Sequence, residues 1–545
     1  MTAPTTPAAP TAPAVRAGRT LTLGGSTYPL VLPNIRDPRL HVASVIITIH
    51  VLGQLGLDFQ VSVPQILAAI ATCWILEVAI TFRQAKAFVW PASAMLTGSG
   101  VALILRVVGT PDDPWSFYAW WVFAIVAGLS LLTKYVIRYR GSHIFNPSNV
   151  GLVAAFLLLG SARIEPLDFW WAPFDGWMIA AYLIILVGGL LITARLHLLG
   201  MSAAFWLTLA AGIGILAASG HCMTARWSFE PVCGAHFWWV IVFSPEILIF
   251  LFFMITDPKT TPAGRVARIA FGAAVALVCT LLIAPQTTEF GAKVALLSGL
   301  VVLCVARLFF DKLLPAPGSE RDRLPAYLVG LGRRGHGYLA PGGALARGAI
   351  AGAAVVLLGT AVVAAGAPAR EAFVATSGSA ATDPPAEPLL DVHVEPSTLP
   401  PVTVDPEVVH RGDLTQAEVQ AIALTLAENL EVEARALRRG EKSLLSSVDD
   451  GQRLTTLERR VDDVNETGRA DVPHYTFDEL HVVLVQPEGQ AGLSLGFQAG
   501  GSVEAVTYGV DGKEAGRTSS PFSRTFVLSR PTGDRWLLVE VGPNP

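Results

Sequence analysis

The chain has 545 residues, 52% of them hydrophobic and 15% charged, with 39 Lys and Arg against 43 Asp and Glu. Soluble domains carry about 25% charged residues, so long uncharged segments are implied and a single soluble globule is excluded. The net charge of −4 divides unevenly, with 24 basic and 15 acidic side chains in residues 1–369 against 15 and 28 in residues 370–545, which leaves no basic domain for nucleic acid. Composition therefore points to a multi-spanning membrane protein with a separate acidic, water-soluble module at its C-terminus.

Residues 1–38 hold a Pro/Ala/Thr-rich tract expected to be an unstructured cytoplasmic tail. No apolar run precedes a cleavage site there, so no secretory signal is expected. Apolar stretches of roughly 17–25 residues cross a bilayer as helices. They occur near 40–57, 64–82, 91–107, 115–133, 145–161, 177–194, 198–218, 237–255, 267–285, 291–310 and 348–367. Residues 39–312 thus form a ten-helix membrane domain, 313–347 a basic cytoplasmic loop, and 348–367 an eleventh helix. Residues 368–408, rich in Pro, Ala, Ser and Thr, read as a linker, and 409–545 as an extracytoplasmic α+β domain. In that domain Asp413 is the expected N-cap of a helix over 413–447, and alternating segments after about residue 475 read as strands.

Basic residues test the count. With a cytoplasmic N-terminus in the cell membrane and a flip at each helix, 20 of the 24 basic residues before position 370 collect on the cytoplasmic side. Arg106, Arg163, Arg226 and Lys293 are the exceptions. Such a bias is what the positive-inside rule demands, and an odd number of spans places the module outside the cytoplasm.

Of five cysteines, Cys73, Cys279 and Cys304 lie in apolar helices and read as small core residues. Cys222 and Cys233 share one outer loop, where a disulfide is preferred over two free thiols. No Cys/His grouping has metal-site spacing, so no metal is expected. No nucleophile–base arrangement, phosphate-binding loop or dinucleotide fingerprint occurs.

Ionisable residues inside membrane helices are costly and mark candidate sites. Glu246 follows Pro245 near the middle of the eighth helix, where a kink would expose the carboxylate to an internal cavity. Glu77 lies near a helix end, with function and pairing to Arg83 or headgroups evenly balanced, and His50 reads as a hydrogen-bonded packing residue. Two polar motifs sit at cytoplasmic helix ends: His143-Ile-Phe-Asn146-Pro-Ser-Asn149, and Thr256-Asp257-Pro-Lys259-Thr-Thr-Pro leading to Arg265. The plain readings are a well-capped helix start and a tight turn. Converging helix N-termini and basic side chains there could equally hold a phosphate or a lipid headgroup.

SHIFNPSNVGLVAAFLL (142–158), SPEILIFLFFMITDPKTTPAGRVARIAFGAAVALV (244–278) and PASAMLTGSGVALIL (91–105) resemble the RnfD/NqrB family of membrane electron-transport subunits. Within it they are nearest to the UnbU-type proteins of enediyne antibiotic gene clusters. The resemblance covers residues 40–312 and implies an all-α polytopic membrane domain of two inverted five-helix repeats, to which the eleventh helix and the α+β domain are additions. Parity agrees, because five helices per repeat invert the second set. The C-terminal strand pattern resembles nuclear-transport-factor/cystatin-like folds.

The family attaches flavin mononucleotide to an outer-loop threonine. Here the loop 161–177 contains no threonine, and Ser244-Pro245-Glu246-Ile247 stands where the family often has Ser-Gly-Ala-Thr. Covalent attachment is therefore not expected, and TSGSAATD (376–383) lies in the linker. Non-covalent flavin, as flavin mononucleotide or riboflavin, stays open. Phe169, Trp170, Trp171 and Phe174 offer a stacking surface or an interfacial aromatic belt. Expected partners are the lipid bilayer and other electron-transport or biosynthetic membrane subunits. Three functions follow as expectations: a redox-associated subunit, a transporter of a small solute or ion, or a membrane scaffold.

Overall fold

The structure, a computed structural model, describes residues 19–327, 343–371, 392 and 394–544, apart from positions 24, 35, 58, 112, 140, 169–175, 413, 486–491 and 531–534. Each apolar segment contains helix, several shorter than expected: α1 (Pro38–Gly56), α2 (Val63–Ala85), α3 (Ala92–Ile104), α4 (Trp120–Val136), α5 (Pro147–Leu159), α6 (Gly176–Arg195) and α7 (Leu199–Ala218). They continue as α8 (Gly234–Val242), α9 (Pro245–Ile249), α10 (Arg265–Ile283), α11 (Glu289–Leu313) and α12 (Gly343–Ala365). Among the described residues seven helical stretches are long and apolar enough to cross a membrane, α8 and α9 counting as one. These make the chain a membrane protein. Leu157 and Leu158 on α5, Leu191 on α6 and Leu207 on α7 stay exposed, as residues facing hydrocarbon do.

Short polar caps start several of these helices. Asp37 caps α1 ahead of Pro38, Ser62 and Gln65 form a capping box on α2, and Asn146 caps α5 ahead of Pro147. The eighth apolar segment is not the continuous helix that hydropathy suggests. It breaks at Phe243–Ser244, restarts at Pro245 with Ser244 as its cap, and ends in a π-helical turn over Phe250–Met254. Pro245 cannot donate a backbone hydrogen bond, so Glu246 stands in the first turn of a new helix rather than at mid-helix.

Helix α2 packs on α3 and α4, and α7 on α8 and α10. Helix α1 packs on α3 and α6, α9 on α6, α5 on α4 and α11, and α10 on α11. Two glycines permit close approaches of helix to helix backbone. A Cβ on Gly98 would lie 2.6 Å from the Ala69 carbonyl oxygen of α2, and one on Gly272 would collide with the Met201 carbonyl of α7.

Part of the segment expected to be an unstructured tail is ordered. Strands β1 (Arg19–Leu23) and β2 (Ser26–Val31) form a hairpin, and β2 runs parallel to β3 (Phe88–Val89). The apolar Leu21, Tyr28 and Leu30 give this stretch strand alternation, and Tyr28 packs on Phe82 and Phe88. Strands β4 (Leu105–Val107), β5 (Arg138–Tyr139), β6 (Ser142–His143) and β7 (Ile164–Pro166) make two short ladders, β4 with β7 and β5 with β6. Strands β8 (Cys222–Met223) and β9 (Val232–Cys233) close the loop that the Cys222–Cys233 disulfide bridges.

The C-terminal module is a five-stranded sheet in sequence order, β10 (Val402–Val404), β11 (Ala470–Val485), β12 (Ser494–Tyr508), β13 (Glu514–Ser529) and β14 (Leu537–Pro543). Its first pair is parallel and the others antiparallel. Strand β10 lies in the stretch expected to be linker, so the module begins earlier than composition suggests. Helices α13 (Pro406–Gly412), α14 (Gln416–Arg439) and α15 (Gly451–Thr467) precede the long strands. Helix α14 is capped by Thr415 with Glu418, two residues after the expected cap, Asp413, which lies outside the described residues. Its buried Val419, Ile422, Ala423, Leu426 and Leu430 recur at helical spacing and meet Phe497, Phe526 and Leu538 of the sheet.

Beneath α14 lies a buried polar group. Arg453 forms a fork on Glu433, with Nε donating to Oε1 at 2.8 Å, and Asp449 is buried beside them. Burial first, and then the Glu433 charge, holds the Asp449 carboxyl well above the ordinary 3.8, against a smaller opposing pull from Arg453. The folded module thus keeps a proton that its unfolded chain releases. That contribution is fully present below the unfolded value and is lost as pH rises through the folded one. Asp449→Asn should leave the module as stable as wild type in acid and more stable at higher pH. Hydrogen exchange of residues 430–470 in the full chain, followed against pH, checks this; equal pH dependence in both proteins would refute it.

Candidate functional site

The two polar motifs, a hundred residues apart in the chain, come together. Asn146 Oδ1 caps the backbone N–H of Asn149 while its Nδ2 donates to the Met254 carbonyl oxygen at 3.2 Å. His143 Nε2 lies 3.3 Å from Asp257 Oδ2, and Asp257 Oδ1 accepts from the Lys259 backbone N–H at 2.9 Å. Arg307 of α11 donates to the Lys259 carbonyl. Asn149 points the other way, donating to the Leu297 carbonyl of α11 at 2.9 Å, and is a strut rather than part of a site. Arg265 is exposed at the start of α10, outside the group.

Beside the motifs opens a cavity of about 380 Å³. Its mouth carries Asp37, Arg39, His143, Asn146, Asp257 and Lys259, and its walls are Ile46, Leu103, Ile104, Ile192, Phe252 and Phe253. The starts of α1, α3 and α5 all reach it through Pro38, Ser93 and Pro147. The π-turn matters here, because an extra residue per turn re-aims the side chains of Phe250–Met254, and such turns occur often at functional sites. A polar mouth over apolar walls fits an amphipathic ligand whose polar end meets helix N-termini.

Glu77 borders this end. Its Oε1 accepts from Lys134 Nζ at 2.7 Å, its other oxygen accepts from Tyr135, and Lys134 also reaches Ser93 Oγ at 3.5 Å. The expected partner Arg83 is not the one used; Glu77 and Lys134 tie α2 to α4. His50 Nε2 lies 3.3 Å from the Ser99 carbonyl, the packing bond expected of it.

The opposite end of the membrane domain holds a cluster that sequence reasoning missed except for Glu246. Lys293 Nζ lies 2.8 Å from Glu289 Oε1 and 3.2 Å from Glu246 Oε1, and also bridges Asp168. Glu165 is shared by Arg106 Nη1 at 3.5 Å and by Arg226, whose backbone N–H donates to Glu289 Oε2 at 3.2 Å. Glu246 and Glu289 occupy the first turns of α9 and α11, where helix dipoles favour negative charge. A cavity of about 50 Å³ lies against Ser244, Glu246, Glu289 and Lys293, enough for ordered water among polar groups. The missed signal was in the charge bias itself: Arg106, Arg226 and Lys293 are three of its four exceptions, and Glu289 and Lys293 stand four residues apart.

Cys222 and Cys233 are disulfide-bonded, and Cys73, Cys279 and Cys304 are free and buried. Among the described residues no group of three or more His, Cys, Asp or Glu side chains is arranged to hold a metal ion. Phe169, Trp170, Trp171, Phe174 and the segment 376–383 lie outside the described residues. No described protein family matches the chain, and no curated protein matches it either.

Removing one partner of a buried ion pair costs about 3–5 kcal/mol, and Lys293 serves three. Lys293→Met should lower the melting midpoint of the detergent-purified protein by many degrees, whereas Lys293→Arg should keep most of it. A Lys293→Met midpoint equal to wild type would show that the ammonium does not hold the cluster.

Proposed function

We propose that the chain is an RnfD/NqrB-like membrane protein whose cavity between the His143–Asn146 and Thr256–Lys259 segments binds a small redox-active amphipathic molecule, a non-covalent flavin or a quinone. The observation that carries this reading is the meeting of the two motifs at the polar mouth of an apolar cavity of about 380 Å³. His143, Asn146 and Lys259 would orient a polar end, and Phe252 and Phe253 would flank a ring system away from water. Such a group, when bound, would supply electron transfer; the protein's part is to hold it and keep it dry.

The repeat architecture is part of the proposal. Its support is that the packing of α2 on α4, α1 on α3 and α4 on α5 recurs as α7 on α10, α6 on α9 and α10 on α11. Sidedness is proposed as well, with the His143 end cytoplasmic and the module outside. The charge bias supports it, as does the disulfide, since such bonds persist in oxidising compartments.

A second reading, transport of a small solute or ion, draws on the Glu246–Lys293 cluster, separated from the cavity by α9 and its π-turn. The two readings part on two measurements. Purified protein should show flavin absorbance, or release a flavin or quinone on extraction, and His143→Ala with Asn146→Ala should cut its retention about tenfold, the cost of roughly 1.4 kcal/mol of lost binding. Absence of any such cofactor, combined with proteoliposome flux abolished by Glu246→Gln, would replace the redox reading with transport.

A further inference from the structure

The disulfide-closed loop touches both the membrane domain and the C-terminal module. On its inner side, the Thr224 N–H donates to the Thr287 carbonyl at 2.8 Å, and the Glu289 N–H donates to the Thr224 carbonyl at 2.8 Å. Two residues on, Arg226 bridges Glu165 and donates its N–H to Glu289, the direct partner of Lys293. The loop therefore forms one wall of the charged cluster.

Its outer side belongs to the C-terminal module. Phe229 packs on the module's apolar core and meets the Trp536 ring edge-to-face, with centroids 5.1 Å apart. The Ser228 carbonyl accepts from the Leu493 N–H at 3.1 Å, and Glu230 pairs with Arg530 at 2.9 Å. From Phe229 to Arg226 is three residues of chain, shortened further by a turn from Ser228 N–H to the Ala225 carbonyl. With both loop ends pinned by the Cys222–Cys233 bond, little slack separates the two contacts. A displacement of Phe229 must be taken up at Arg226.

We propose that the C-terminal module is a clamp on the charged cluster: docked on Phe229, it keeps Arg226 seated on Glu165 and Glu289, and undocking opens the Lys293 end of the membrane domain to water. Arg226 is in this scheme a positioning residue, and the module a regulator of access rather than a bystander. Nothing in this depends on which molecule the membrane domain handles, so the clamp and the redox or transport reading can fail separately.

Access is measured with a reporter thiol. Ala292 is buried and lines the small cavity beside Lys293, and the native free cysteines are buried while the other two are bonded, so background labelling is low. In the full-length protein in lipid nanodiscs, Ala292→Cys should react slowly with a charged methanethiosulfonate. Phe229→Asp, on the loop side of the contact, and Trp536→Ala, on the module side, should each raise that rate about tenfold or more, an opening shift of roughly one decade. Combined, they should give no further increase, because they break one contact. Phe229→Asp leaves every module residue unchanged, so a rise there does not come from a substitution inside the module. Unchanged rates with Phe229→Asp, or increases that multiply in the double variant, would overturn the clamp.

Discussion

A single ammonium group holds the membrane domain together at one end. Lys293 draws in carboxylates from the segment after β7, from the start of α9 and from its own helix, and Arg226 and Arg106 do the same for Glu165. In a low-dielectric interior four carboxylates gathered this closely repel strongly unless cations stand among them. The cluster is thus a geometric constraint as much as an interaction. It ties the break at Ser244–Pro245, the start of α11 and the strand pair β4–β7 to one point.

The other end is built by a different device. Helix starts converge there, and those of α1 and α5 are pinned by the polar caps Asp37 and Asn146, whose side chains are used twice. Asn146 is the clearest case, closing its own helix while bonding to the carbonyl of Met254 at the end of the π-turn. An apolar cavity beside such a junction stays open because the caps and the Glu77–Lys134 pair fix the helices around it. One end of the domain is consequently tight and charged, and the other hollow and hydrogen-bonded.

Much of this was legible beforehand, for identifiable reasons. Hydropathy located the apolar helices because a hydrocarbon solvent imposes one length and one composition on them. Asn146-Pro147 and Asp257-Pro258 stood out because caps and breakers act locally. The Lys293 cluster did not stand out, since Asp168 and Arg226 lie in loops and Glu165 in the three-residue strand β7, whose neighbours are set by tertiary packing, and charge at a helix end is individually unremarkable. Hydropathy also read through the break before Pro245, because averaging over a window hides one interrupted hydrogen bond. In the tail, the Pro-rich composition of the first residues masked the alternation over Thr20–Val31.

The pairing of Phe229 with Trp536 also has a chronology. Ribosomes deliver the chain from its N-terminus, so the loop emerges long before the strand that will cover it. Until Trp536 is made, the loop lacks the ring that meets Phe229 edge-to-face. The short disulfide-closed ring can form at once, from residues already present, and it keeps the loop in shape during that wait. Biogenesis of this protein therefore has an order built into it: α1–α7 first, then the ring with the helices that follow it, and the module's cover last. A chain cut short before Trp536 would insert its helices yet carry an unfinished lid.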